Sequence, residues 1–365
     1  MSISSVINKL IPHARYNVKK QGPNRVLQLG DDPALYSPEL NGPTQMGDLP
    51  IYIYDDVLLW PGQSIASRGG CLIQQTFIDN DRINTVRKAR VLRRYPVMRF
   101  DGWATSIDYI FSPHNYYHQF VDSLPRAWAL RHPELARLPI TVFMTREMSN
   151  DQKRILQAIL PENVKVRVVP RYIRIKATHY IHLPFLSKNR TGYNPKDTLT
   201  SAGFIPNKYI EAYRNIVFEM KKNHLDSEHM HMYVSRHKAT QRRITNEDEV
   251  IDHLKQKGFR VVVLEDMSLS EQAQCFATSD IIVAQHGAAL TNLLYKKYGG
   301  LIEIFSSKQS PHHYSEHART LGLHYEAINL ENSNYSDDVD VPVALLDAAV
   351  KRAMNKMNDR LAQAG

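Results

Sequence analysis

The sequence predicts an α/β protein whose second half is a doubly wound parallel sheet. Three observations carry this. Between residues 231 and 305, short β-type runs (HMYVS, FRVVVL, IIVA, LIEIF) alternate with capped amphipathic stretches, as strands and helices do around a parallel sheet. The run at 281–284 is apolar throughout, the pattern of a strand buried on both faces. It leads into His286, Gly287 and a stretch whose Leu290, Leu293 and Leu294 share one helical face. Strand, tight turn and helix start then aim backbone N–H groups at one point beyond a strand's carboxyl end, which suits a phosphate.

In chain order, residues 1–45 are punctuated by Pro and Gly and read as an irregular arm, with one short amphipathic helix near 6–11. Runs at 51–54, 57–60, 71–73 and 76–78, broken by Gly62, Gly69 and Gly70, read as hairpins or a small meander. Residues 116–131 read as a helix. Strands at 140–144, 164–169 and 178–183, with a helix capped by Asn150 running to about Leu160, give a βαβ pattern. Residues 186–207 are rich in Asn, Gly, Pro, Lys and Thr and read as the linker.

A helix at 209–222 leads into the second half. Thr245 caps a helix with Glu247 and Asp248 in its first turn and Gly258 at its end. Ser268 with Glu271 forms a capping box opening a helix to Thr278. A last amphipathic helix spans 343–361. The expected division is an arm (1–45), a first α/β domain (46–205), a Rossmann-like domain (206–342) and a C-terminal helix (343–365) packing back on the first domain.

The chain has 365 residues, 43% hydrophobic and 23% charged, the balance of a globular protein. No run of about 18 apolar residues exists to span a membrane. The first twenty residues lack the apolar core of a signal peptide. Cys71 and Cys275 read as buried free thiols in a reducing compartment, so a cytoplasmic location is expected. Lys and Arg outnumber Asp and Glu by 46 to 37, a net +9 that allows an anionic partner: a nucleotide, a nucleic acid or an acidic membrane surface. Zinc-finger spacing and an aromatic-rich RNP run are both missing, so no nucleic-acid partner is expected.

Three clusters carry chemistry. In the first, His118 and Asp122 stand four apart and share a helical face, with Asn115 one turn earlier. Asn115 reads as a helix cap, and the pair offers an imidazole or a carboxylate general base. In the second, Arg236, Lys238, Arg242 and Arg243 follow a strand that ends near Ser235. Arginine forks match phosphate oxygens. The third is Glu303 inside an apolar strand, which needs a partner: a ribose diol or a neighbouring Arg. Nucleophile-elbow, P-loop, C-x-x-C and H-E-x-x-H motifs do not occur, and the histidines near 224–231 and 312–317 lack zinc-site spacing. The DDVD stretch at 337–340 resembles a divalent-cation motif of sugar transferases, but it is expected to lie far from the phosphate turn.

Taken together, NYYH at 115–118 with Asp122, SR at 235–236 with RRITNED at 242–248, LEDMSLSEQ at 264–272, and AQHGAALTNLL at 284–294 with EIF at 303–305 resemble glycosyltransferase family 61. The resemblance runs from about residue 100 to 330. It implies a GT-B arrangement: two Rossmann-like domains facing across a cleft, after a small β-rich N-terminal part. It also implies inverting, metal-independent transfer from a nucleotide sugar, such as a UDP sugar, to a glycan or lipid-linked glycan acceptor in surface polysaccharide (capsule or lipopolysaccharide) synthesis. The basic surface would then allow peripheral contact with an anionic membrane. No cofactor or metal is expected. In that frame Arg236, Arg243, His286, Gly287, Ala288, Asn292 and Glu303 bind the donor, and Asn115 and Tyr117 contact the acceptor. Asp122 is favoured as the base with His118 as its partner. The alternative is a non-catalytic nucleotide-sugar or glycan-binding protein of the same fold.

Overall fold

The computed structural model describes residues 22–28, 50–63, 65–76, 94–108, 115–186, 207–219, 230–306, 312–331 and 337–364. The helix expected at 6–11 and the linker between 187 and 206 lie outside the described residues. The chain divides into two compact units, one holding residues 46–201 and the other 202–365.

The first unit is built on one mixed sheet, ordered β4-β3-β2-β8-β5-β6-β7, with β1 paired to β2. Its strands are β1 (Arg25–Gln28), β2 (Pro50–Trp60), β3 (Ile65–Arg68), β4 (Cys71–Leu72), β5 (Val97–Thr105), β6 (Ile140–Met144), β7 (Val164–Val168) and β8 (Arg174–His182). The expected parallel βαβ part is present: β5, β6, β7 and β8 pair in parallel. The runs at 51–54 and 57–60 are one strand, not two, because β2 continues through Asp55 and Asp56 against β8. Asp56 takes a left-handed backbone (φ 57°), and β5 slips register against β8 between Phe100 and Trp103. Tyr54, Val57, Leu59, Phe143, Ile175 and Tyr180 form the core around the sheet.

Residues 116–131 do not form a regular α-helix. After one helical turn the chain widens into a π-helical segment, His118–Ser123, then tightens into a 3-10 segment, Leu124–Arg131. Pro125 has no N–H to donate back to Val121, which removes one bond of the regular ladder and lets the spacing change. Helix α1 (Asn150–Ile159) is capped by Ser149, one residue earlier than expected, in a box with Gln152.

The second unit holds a sheet of five parallel strands: β9 (Met230–Val234), β10 (Phe259–Val262), β11 (Ser279–Gln285), β12 (Gly300–Ser306) and β13 (His324–Leu330). Their order is β10-β9-β11-β12-β13. The winding therefore reverses between β9 and β11, and in such sheets ligands bind outside the carboxyl ends of the strands at that reversal. The helices are α2 (Asn207–Glu219), α3 (Glu247–Gln256), α4 (Leu269–Thr278), α5 (His312–Thr320) and α6 (Val343–Ala364). The α4 box of Ser268 and Glu271 forms as expected. Thr245 does not cap α3; its hydroxyl bonds Val339 and Asp340, and Asn246 takes the capping position.

Helix α6 is the largest departure. Its Leu346, Ala349, Val350 and Ala353 join the core formed by Tyr233, Val283 and Ile302. It thus packs on the second unit, where an apolar face of that sheet is available to it, and not on the first domain as expected. Both cysteines are free, but half-buried instead of buried. Among the described residues, no helix is long and apolar enough to cross a membrane.

Candidate functional site

In the second unit the reversal point gathers the expected basic and glycine elements. Strand β9 ends at Val234, and the Ser235 N–H still pairs with Val262 of β10. Arg236 follows. Its backbone N–H donates to Glu247 Oε1 (3.2 Å), which also accepts from the Tyr233 hydroxyl (2.8 Å). Its guanidinium donates to the carbonyls of Arg242 (3.2 Å) and Gln241 (3.3 Å). One end of that fork lies against Gly287, where any Cβ would strike it. Gly287 has an extended backbone (φ 172°), so what glycine provides here is room for the Arg236 guanidinium and not a special conformation. The close approach to this glycine is that of Arg236.

Burial pulls the Arg236 guanidinium down, and the neighbouring Arg242 charge pulls it further; Glu265, Tyr314 and Glu247 act against this. Arg242 itself adopts a left-handed backbone (φ 55°), a conformation that costs a residue with a Cβ. Two guanidinium groups, partly stripped of water and close enough to repel, form a site an anion would stabilise.

His286 stands at the end of β11, its N–H continuing the sheet to Ile304 (2.7 Å). Its Nδ1 lies 2.6 Å from Glu303 Oε1. The other carboxylate oxygen of Glu303 accepts from the Tyr325 hydroxyl (2.8 Å). Glu303 is fully buried, and both of its oxygens are taken by protein. It therefore serves neither a ribose nor an arginine, the two partners the sequence suggested; it orients His286. Burial first, then the Glu303 charge, push the Tyr325 phenol up. Tyr314 packs with its ring centre 5.4 Å from that of His286. Its phenol is pushed up chiefly by burial, with the Arg242 and Arg236 charges opposing.

The remaining expected donor residues divide. Ala288 begins a 3-10 segment, Ala288–Tyr295, where an α-helix was expected. Asn292 is buried and donates to Gln272 of α4 (3.0 Å). Arg243 turns to Asp338, which accepts from its N–H (2.8 Å) and lies 3.4 Å from its guanidinium. So the DDVD stretch is not remote from the arginine loop: Asp338 and Asp340 are spent on Arg243 and Thr245. Tyr314 and Tyr325 were not singled out from the sequence, and Arg242 was named in the basic cluster but not among the donor-binding residues.

In the first unit, the Asn115 side chain accepts the His118 N–H (3.3 Å), as a cap would. His118 Nδ1 lies 2.6 Å from Asp122 Oδ2, so the shared face survives the π-helical widening. The imidazole side chain is 25% exposed and the carboxylate 3%. Asp122 is thus behind His118, not in front of it. Tyr117 is buried, edge-on to the imidazole at 5.4 Å.

Arg126, fully buried, donates to the carbonyls of Leu183 (2.9 Å) and Asp108 (3.2 Å) and covers the Phe185 ring at 4.2 Å. Burial pulls its guanidinium down to about 10 against the opposing charges of Tyr180, Asp108 and Asp122. Burial lifts the Asp108 carboxyl, opposed by bonds from the Thr145 N–H (2.9 Å) and hydroxyl (3.1 Å). The buried Arg126 guanidinium, four residues after Asp122, thus lies close enough for the Asp122 charge to act on it. Among the described residues, no three His, Cys, Asp or Glu side chains gather as metal ligands would.

Among solved structures, a dodecameric iron-containing heptosyltransferase, TibC, in complex with ADP-D-β-D-heptose aligns over 79% of this chain and 80% of its own at 12% identity, with a TM-score of 0.30. The xylan glycosyltransferase MUCI21 of Arabidopsis thaliana is 32% identical over 113 residues, which cover 28% of this chain and 23% of that relative. The matched stretch thus spans under a quarter of the relative's length. The family model described as Glycosyltransferase 61 matches residues 116–301, just over half of the chain, from the turn before His118 to the strand that carries Glu303. The chain belongs to glycosyltransferase family 61.

Proposed function

We propose that this protein is an inverting, metal-independent glycosyltransferase of GT-B type, moving a sugar from a nucleotide donor, a UDP sugar, to a hydroxyl of a glycan acceptor in surface polysaccharide synthesis. One observation carries the reading: Arg236, Arg242 and the His286–Gly287 turn converge outside the carboxyl ends of β9 and β11, at the reversal of a parallel sheet. A departing nucleoside diphosphate develops negative charge, and the guanidinium groups of Arg236 and Arg242 with the backbone N–H groups after Gly287 would stabilise it as it leaves. His286, held by Glu303, would donate from its outer nitrogen to the diphosphate or the sugar.

An inverting transfer also needs one base to take the proton of the attacking hydroxyl. The first unit would supply it. The accessible imidazole of His118 is the base in this reading, and Asp122, buried behind it, fixes the tautomer and stabilises the imidazolium that forms. Asn115 and Tyr117 would border the acceptor. Contact with an anionic membrane bearing a lipid-linked acceptor would follow from the +9 charge.

A thermal-shift series tests the reading. UDP, GDP, ADP and their common sugar conjugates are added singly, in EDTA and again with manganese. A nucleotide that binds the native state raises the melting temperature. The expected result is stabilisation by one nucleoside diphosphate, equal with and without metal. No shift from any nucleotide would sink the donor site. A shift that appears only with manganese would sink the metal-independent mechanism.

A further inference from the structure

A second polar site lies in the first unit, on residues the transfer reaction does not use. Where β2, β8 and β5 run side by side, Asp55, Asp56, Arg99, Asp101, Thr178 and His179 line a groove of about 460 Å³, with Lys176 at its edge and Phe100 and Ala177 as an apolar floor. That volume falls within the roughly 300–1,000 Å³ of small-ligand sites. The groove owes its shape to irregular strands: the left-handed residue at Asp56, and the register slip of β5 between Phe100 and Trp103. Such irregularities re-aim side chains and mark functional positions.

The polar groups are held in fixed directions. Asp55 Oδ1 lies 2.7 Å from His179 Nδ1, and the Trp103 ring stacks on that imidazole at 4.4 Å. The Thr178 hydroxyl donates to Asp101 Oδ1 (2.8 Å), and Lys176 pairs with Asp56. Each carboxylate thus spends one oxygen on the protein, and the second makes no hydrogen bond among the described residues. Three carboxylates repel an anionic ligand, and Arg99, Lys176 and the Lys176–Asp56 ion pair disfavour a cation. The ligand that suits alternating fixed acceptors and donors over an apolar floor is uncharged, rich in hydroxyls and apolar on one face: a sugar ring.

We propose that this groove is a glycan-binding subsite, separate from His118 and Asp122, that holds sugar rings of the acceptor chain beyond the ring that reacts. This rests on the reading of the protein as a transferase acting on a glycan.

The test is calorimetry of the full-length protein with xylohexaose, cellohexaose, chitohexaose and maltohexaose, beside a parallel titration with UDP. The variants are the exposed pair Asp101→Asn with Thr178→Val, and separately Arg99→Ala. The expected result is that one hexaose binds the native protein, that the paired variant weakens it by about tenfold, the effect of one lost charge-assisted hydrogen bond, and that UDP affinity is unchanged. If the paired variant fails to fold, the Arg99→Ala result decides in its place. Absence of binding by every hexaose, or unaltered affinity in the folded variants, overturns the subsite. Hexaose binding without any nucleotide binding would leave the subsite standing and sink the transferase reading instead.

Discussion

His118 Nδ1 lies 2.6 Å from Asp122 Oδ2, with the imidazole accessible and the carboxylate buried. This order of exposure reverses the assignment favoured by sequence, in which Asp122 is the base. His118→Gln should lower kcat by about 10²–10⁴-fold, the usual general-base contribution, with donor affinity intact. Asp122→Asn keeps the imidazole but removes its orienting charge, so its loss should be smaller. Steady-state kinetics on both variants decide the matter: a dead Asp122→Asn beside a working His118→Gln would restore the carboxylate as base.

Arg236 and Gly287 touch, so their substitutions should not be independent. Arg236→Ala should weaken nucleoside diphosphate binding by about 1.5–3 kcal/mol, the range for a hydrogen bond to a charged group. Gly287→Ala should displace the same guanidinium and produce a similar loss. In the double variant the losses should fall well short of adding. Arg243→Ala, whose side chain faces Asp338, should leave affinity nearly unchanged. Calorimetric titration of the four variants measures all of this, and additive losses would refute the shared mechanism.

Tyr325→Phe removes the donor to one oxygen of a fully buried carboxylate. Leaving that oxygen unsatisfied should cost about 1–3 kcal/mol of stability, read from urea unfolding. His286 keeps its bond to the other oxygen, so nucleotide affinity should change little. A large affinity loss with unchanged stability would mean that the tyrosine touches the ligand itself.

Burial, followed by the Arg126 charge, pulls the His182 imidazole down to about 3, against a bond to the Gln75 backbone. An unfolded histidine titrates near 6.5, so between those values the unfolded chain binds a proton that the native protein refuses. Stability contributed by neutral His182 is thus complete above about pH 6.5 and lost progressively below it. At pH 5 the loss amounts to about 2 kcal/mol. His182→Gln does not titrate, so its stability difference between pH 7 and pH 5 should be smaller than the native protein's by about that amount. Equal pH dependence in the two proteins would show that His182 gains a proton freely in the folded state.

Local rules proved readable and long-range ones did not. The Ser268–Glu271 box depends on a spacing of three and is visible in the chain as written. So is the His118–Asp122 contact, which needs only helical spacing. Glu303 announces that it needs partners but not which ones. Tyr325 meets it because β13 pairs in register with β12, opposing Ala327 to Glu303, a fact of topology. Choosing between Arg242 and Arg243 was beyond periodicity because both sit in a loop. There the left-handed backbone at Arg242 and the bond from Arg243 to Asp338 decide which guanidinium joins Arg236. Helix α6 was misplaced for a similar reason: an apolar stripe states that it will be covered, not by what.

The tie between residues 243–246 and 338–341 has a consequence for how the site is maintained. Asn246 bonds both the N–H and the carbonyl of Val341, the Thr245 N–H and hydroxyl both donate to the Val339 carbonyl, the Val339 N–H donates to the Arg243 carbonyl, and Asp338 holds Arg243. These segments lie some 95 residues apart, and the second leads directly into α6. The arginine loop is therefore pinned from the far end of the chain. Trimming the protein before residue 337 would untie the loop that presents Arg236 and Arg242 and, by removing α6, would also open the core of the second unit. Amide hydrogens at 236–246 would exchange faster in such a truncation, and donor binding would have to supply the order that the C-terminal strap now provides.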